Sequence, residues 1–197
     1  MTITRMMVHA GLALAGALSP TSPPLAAAQD TPVQTSSHHA EAGERNNSPG
    51  GLIEVVRAST DRFHDVAVAE AEGYSLLFGC VSGPDYGAMG LHYVNLSLVS
   101  DGNVDPARPE IVIYEPQPDG RLKLVGADFL VFAESWHATH ADTPQLMGQL
   151  MHLFESPNRF GLPAFYTLHV WAWKSNPNGA FVNWHPHVSC DAFGPTP

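Results

Sequence analysis

Four residues able to ligate a metal, His92, Glu115, Asp128 and His169, each occupy an alternating position in a segment whose neighbours of the same parity are apolar. Side chains two apart on a strand share a face, so all four are predicted to lie on apolar faces. A buried polar group without a partner costs about 1–3 kcal/mol, more if charged. Four such groups imply either a shared site or a shared hydrogen-bond network. Two imidazoles with one or two carboxylates match first-row transition-metal sites, including two-His-one-carboxylate sets that keep open coordination positions. Zinc and copper are the ions an exported protein would meet. In that reading His92 and His169 are neutral imidazole ligands and Glu115 is the anionic ligand. Asp128 is then a fourth ligand or an outer acceptor.

Two other readings use the same residues. One is a metal-free network of His–carboxylate pairs that fixes strand register, in a purely structural envelope protein. The other is the polar floor of a pocket for an apolar or aromatic small molecule, with Tyr93, Trp171 and Trp173 as its ligand-binding residues. Trp171 and Trp173 are one strand period apart, a spacing that equally suits plain packing. His137 and His140 have a ligand-like spacing but fall in a polar connection, and His185 and His187 flank Pro186 near the C-terminus. Neither a Gly-x-Ser-x-Gly elbow nor a His-Glu-x-x-His motif occurs, so a serine hydrolase or a zincin is not supported. Whether the protein is an enzyme is left open.

The elements that must position these side chains read as helices followed by strands. Leu52, Val55, Val56, Ser59 and Phe63 follow helical spacing over 51–63. Asp65 is placed to cap a second short helix that stops at Gly73. Strands are predicted over 74–81, 90–99, 110–115, 122–132 and 164–174. The 122–132 strand puts Leu122, Leu124, Gly126, Asp128, Leu130 and Phe132 on one face. Thr143-Pro144 followed by the stripe Leu146, Met147, Leu150, Met151 and Phe154 predicts another helix. Helices first and hairpin-connected strands afterwards predict an α+β domain over 51–193, its N-terminal helices packed on a curved antiparallel β-sheet. The alternative is a β-barrel or sandwich with flanking helices.

Export is read from the N-terminus. Arg5, the apolar run Val8–Leu18 and Ala26-Ala27-Ala28 have the charged start, short core and small-residue end of a signal peptide over 1–28. Residues 29–50 are polar and rich in turn formers, as expected of a disordered linker. No later segment has the roughly 20 apolar residues of a transmembrane segment. The formal net charge is −10, which excludes the basic patches that nucleic acid requires. The two cysteines, Cys80 and Cys190, are expected to form a disulfide in an oxidising periplasmic or extracellular compartment.

Taken together, Arg62-Phe63-His64-Asp65, Ala88-Met89-Gly90-Leu91-His92-Tyr93-Val94-Asn95, Ile113-Tyr114-Glu115-Pro116, Leu168-His169-Val170-Trp171-Ala172-Trp173 and Val188-Ser189-Cys190 resemble a family of exported bacterial proteins of unknown function. The resemblance spans residues 55–191. It implies secretion from a bacterium, the Cys80–Cys190 pair, and special roles for His92, Glu115 and His169; it implies no activity. This chain departs from the family pattern at Asp128, where Glu is usual, and at His185, where Asn is usual.

Overall fold

Segment 74–132 folds as four consecutive antiparallel strands, and these carry three of the four residues singled out above. The computed structural model describes residues 49–194. The signal segment 1–28 lies outside the described residues. Of the linker 29–50, only Pro49 and Gly50 are described, and they open the first helix. That helix, α1 (Pro49–Thr60), is followed by a 3-10 turn, Asp61–His64, and by α2 (Val66–Ala71). As expected, the Asp65 carboxylate caps α2, accepting from the Ala67 N–H at 3.0 Å.

The strands are β1 (Ser75–Gly83), β2 (Gly87–Val94), β3 (Ile111–Pro116), β4 (Leu122–Phe132), β5 (Gln145–Leu146), β6 (Gln149–Leu150), β7 (His152–Phe154) and β8 (Phe165–Val170). Six of them form a curled antiparallel sheet in the order β1-β2-β3-β4-β8-β7. β1 and β7 are edges, so the sheet is open and the barrel alternative is not what forms. Its two faces are both apolar. One gathers Ala127, Phe129, Val131, Leu168 and Val170 in a cluster with Leu52 and Val56. Farther along, Leu91, Tyr93, Val112, Tyr114 and Leu124 join Phe63 and Ala69. The other face carries Val94, Ile111, Ile113, Val125, Leu130, Phe165 and Trp171. The Cys80–Cys190 disulfide forms, with Cα atoms 5.7 Å apart and 110 residues between the cysteines. Chain-entropy reasoning assigns a loop of that length about 4.7 kcal/mol.

Three expectations are corrected. The helix predicted from Thr143 is absent: Met147 (φ 47°) and Gly148 (φ 84°) form the two-residue turn of a hairpin pairing β5 with β6. Two successive positive φ values suit a hairpin turn and exclude a helix, so the Leu/Met stripe is coincidental. The predicted strand 90–99 ends at Val94. There Asn95 accepts from the Ser97 and Leu98 N–H groups and starts a one-turn helix, α3 (Leu96–Val99). Alternation along β4 is also broken. Ile113 pairs with Gly126 but Tyr114 pairs with Leu124, leaving Val125 as an extra residue. This bulge moves Leu122 and Leu124 to the face opposite Asp128. Beside it Gly126 is obligatory, because a Cβ there would lie 2.4 Å from the Val170 carbonyl oxygen.

A further short helix, α4 (Ala133–His137), follows β4, in the stretch read above as a polar connection.

Candidate metal centre

Asp128 of β4 and His169 of β8 are directly paired across the sheet. His92 of β2 pairs with Ile113 of β3, and Ile111, two residues along, pairs with Asp128. The three side chains are therefore offset by one strand period and share the face of Ile111 and Ile113. Curling of the sheet closes the remaining gap: one ligand atom from each of His92, Asp128 and His169 lies within 4.8 Å of the others. The imidazole rings meet edge to face, centroids 5.6 Å apart. All three residues are buried, none more than 7% exposed.

Hydrogen bonds orient two of the three. His92 Nδ1 lies 3.2 Å from the Gly90 carbonyl; a carbonyl only accepts, so Nδ1 carries the proton and Nε2 keeps the lone pair. Thr167 Oγ1 donates to Asp128 Oδ1 at 2.5 Å, fixing the carboxylate. These are the outer contacts expected around metal ligands. His169 is different. Its Nδ1 is 3.4 Å from Asp128 Oδ1 but lacks hydrogen-bonding geometry, and among the described residues neither ring nitrogen has a partner. A buried imidazole with both nitrogens orphaned is rare.

Burial sets the charges. It holds His92 and His169 well below the usual imidazole range, to about 4 and about 3, and pushes Asp128 up to about 6. Repulsion from the His169 ring adds to the effect on His92, whereas attraction from His92, then the Thr167 hydroxyl and the Leu168 and Phe129 N–H groups, restrain the rise at Asp128. At neutral pH the cluster thus holds two neutral imidazoles and one carboxylate. It carries negative charge with no lysine or arginine among the residues that line the space in front of it.

Glu115 is not brought in. It keeps the parity of Ile111 and Ile113 but lies four residues beyond Ile111, roughly 13 Å at 3.3 Å per residue. There it is paired with Lys174 Nζ at 2.8 Å to both oxygens and accepts from the Ser189 N–H at 3.3 Å. The proposed organic-ligand residues are not assembled either. Tyr93 is adjacent to His92 and so faces the opposite side, packed edge to face on Tyr114. Trp171 is 3% exposed and donates to the Val182 carbonyl. Regular strand structure stops at Val170, so Trp173 does not repeat the face of Trp171: it donates to Thr60 Oγ1 at 3.0 Å and contacts the His64 ring. His137 and His140 are exposed, as expected. His185 is fully buried, with both ring nitrogens used: Nδ1 accepts from the His187 N–H and Nε2 faces the Ser175 carbonyl.

Thr167 and Glu110 are polar residues that sequence reasoning did not single out. Thr167 shares parity with His169, and that was the available signal. Glu110 is 2% exposed at the start of β3, where the ladder to β4 ends, and its carboxyl replaces the missing backbone partner by accepting from the Leu130 N–H at 3.0 Å. Burial pushes its carboxyl up to about 8. No signal in the sequence distinguished it from an ordinary strand-end glutamate. No protein-family model matches this chain, and neither the curated proteins nor the solved structures contain a match.

Proposed function

We propose that this protein is an exported, disulfide-bonded transition-metal-binding protein, with His92 and His169 as neutral imidazole ligands and Asp128 as the anionic ligand for zinc or copper. The observation that supports this most is His169, buried with neither nitrogen partnered beside an uncompensated carboxylate. A structural network would satisfy those groups; a divalent cation supplies what both lack. Three protein ligands leave at least one coordination position open, the arrangement of sites at which a metal meets water or a small molecule. The disulfide is compatible with an oxidising compartment. Among the described residues no helix is long and apolar enough to cross a membrane.

Calorimetric titration of metal-free protein with zinc and with copper(II) tests the reading. Saturable one-to-one binding is expected, lost by roughly 100-fold or more in His169→Ala and Asp128→Ala, since even outer contacts to metal ligands are worth 10–100-fold. Metal at 100 times its Kd should stabilise the fold by about 2.7 kcal/mol. Thermal stability unchanged by both zinc and copper(II) overturns the proposal.

A further inference from the structure

The His92–Asp128–His169 cluster is the floor of a cavity of about 190 Å³. Apart from Thr167 and the cluster itself, every residue lining that cavity is apolar. Five phenylalanines stand among its aliphatic walls: Phe154 stacks on Phe165 with centroids 5.3 Å apart, and Phe78 meets Phe160 edge to face at 5.8 Å. Two large apolar side chains of the wall reach solvent. A bulge in β1 places Phe78 at φ 65°, in the left-handed region, and leaves it 54% exposed; Leu96, at the start of α3, is 57% exposed beside the same cavity. Large apolar side chains that are both exposed and part of a cavity wall mark an entrance rather than a core defect.

Size and charge define an occupant. An apolar cavity of about 150 Å³ stays dry and binds benzene, so this one fits a single ring with a small substituent. A divalent ion held by one carboxylate and two neutral imidazoles keeps one positive charge, and no lysine or arginine lines the cavity among the described residues. One anionic donor brings the site to neutrality in a medium where residual charge is costly. We propose that the cavity binds a monocyclic aromatic monoanion, a carboxylate or phenolate, with its ring among the phenylalanines and its donor atom on the open metal position. This rests on the metal-binding reading above.

The test uses the full disulfide-bonded protein and two titrations in sequence, zinc first and then benzoate or acetate. The expected result is that zinc-loaded protein binds benzoate at least tenfold more tightly than acetate, and at least tenfold more tightly than metal-free protein does. Leu162→Trp, which fills the wall, and Leu96→Trp, at the exposed mouth where folding is not at stake, should each weaken benzoate at least tenfold, with zinc titrated separately in the same samples. Zinc binding followed by equal affinities for benzoate and acetate, or by equal benzoate affinity with and without zinc, overturns this inference and leaves the metal site standing. Failure of zinc to bind in the first titration overturns this inference, and failure of copper(II) as well overturns the metal-binding reading with it.

Discussion

Two buried carboxylates, Glu115 and Asp128, lie on the same face of one sheet, each near a buried histidine, and they are finished in opposite ways. At one end Glu115 is held by Lys174 and the Ser189 N–H, and nearby His185 spends both ring nitrogens on backbone groups. At the other end Asp128 has only a hydroxyl and backbone N–H groups, and His169 has no hydrogen-bond partner among the described residues. The first end is complete within the chain, and the segment that completes it, Lys174 to Cys190, is tied to β1 by the disulfide. The second faces an apolar cavity whose lining, among the described residues, holds no lysine or arginine. Burial and residue type are alike at the two ends; only the supply of counter-charge differs. A binding site is better recognised by an unmet electrostatic need than by its list of residue types.

The largest contrast should come from removing each end's compensation. Lys174→Met leaves Glu115 charged and buried, which should cost roughly 3–5 kcal/mol in urea unfolding, toward the lower figure because Lys174 is 21% exposed. Asp128→Asn in metal-free protein removes a charge that has no cationic partner among the described residues, so stability at pH 8 should hold or rise while zinc binding disappears. Equal losses of stability in the two variants would erase the distinction between the ends.

Glu110 supplies a third case, a carboxyl with no cationic partner among the described residues that avoids charge by keeping its proton. Its folded-state value of about 8 lies above the ordinary 4.5. Between those values the folded protein retains a proton that the unfolded chain has released, so stability falls as pH rises. The full benefit is present below about pH 4.5 and gone above about 8, with a slope of up to about 1.4 kcal/mol per pH unit. Chemical denaturation of wild type and Glu110→Gln across pH 5–9 should show this component only in the wild type. Parallel curves would place the charge on Glu110 throughout.

The smallest effect is expected at Thr167. Thr167→Val keeps the shape but withdraws the hydroxyl from Asp128 Oδ1, and should weaken zinc about tenfold. Binding undiminished by the substitution would mean that the backbone N–H groups alone orient the carboxylate.

Much of the α+β class was legible because period-two and helical patterns are local. The β4 boundaries, the Asp65 cap and the apolar faces carrying His92, Asp128 and His169 follow from side-chain alternation and capping chemistry within about ten residues. The hairpin at Met147-Gly148 was not legible, because a helical stripe and a hairpin share the same apolar residues and backbone φ decides between them. Nor was the grouping of these side chains. His92, Glu115, Asp128 and His169 satisfy one sequence rule equally, and periodicity says which face a side chain takes but not how far along the sheet it stands. Strand register placed His169 opposite Asp128, brought His92 within one strand period of them, and carried Glu115 to Lys174. Alternation is set by the geometry of a single strand, so the sequence alone determined it. Register, the β4 bulge and the cavity depend on pairing between strands, which alternation along one strand does not set, and only the tertiary structure decided them.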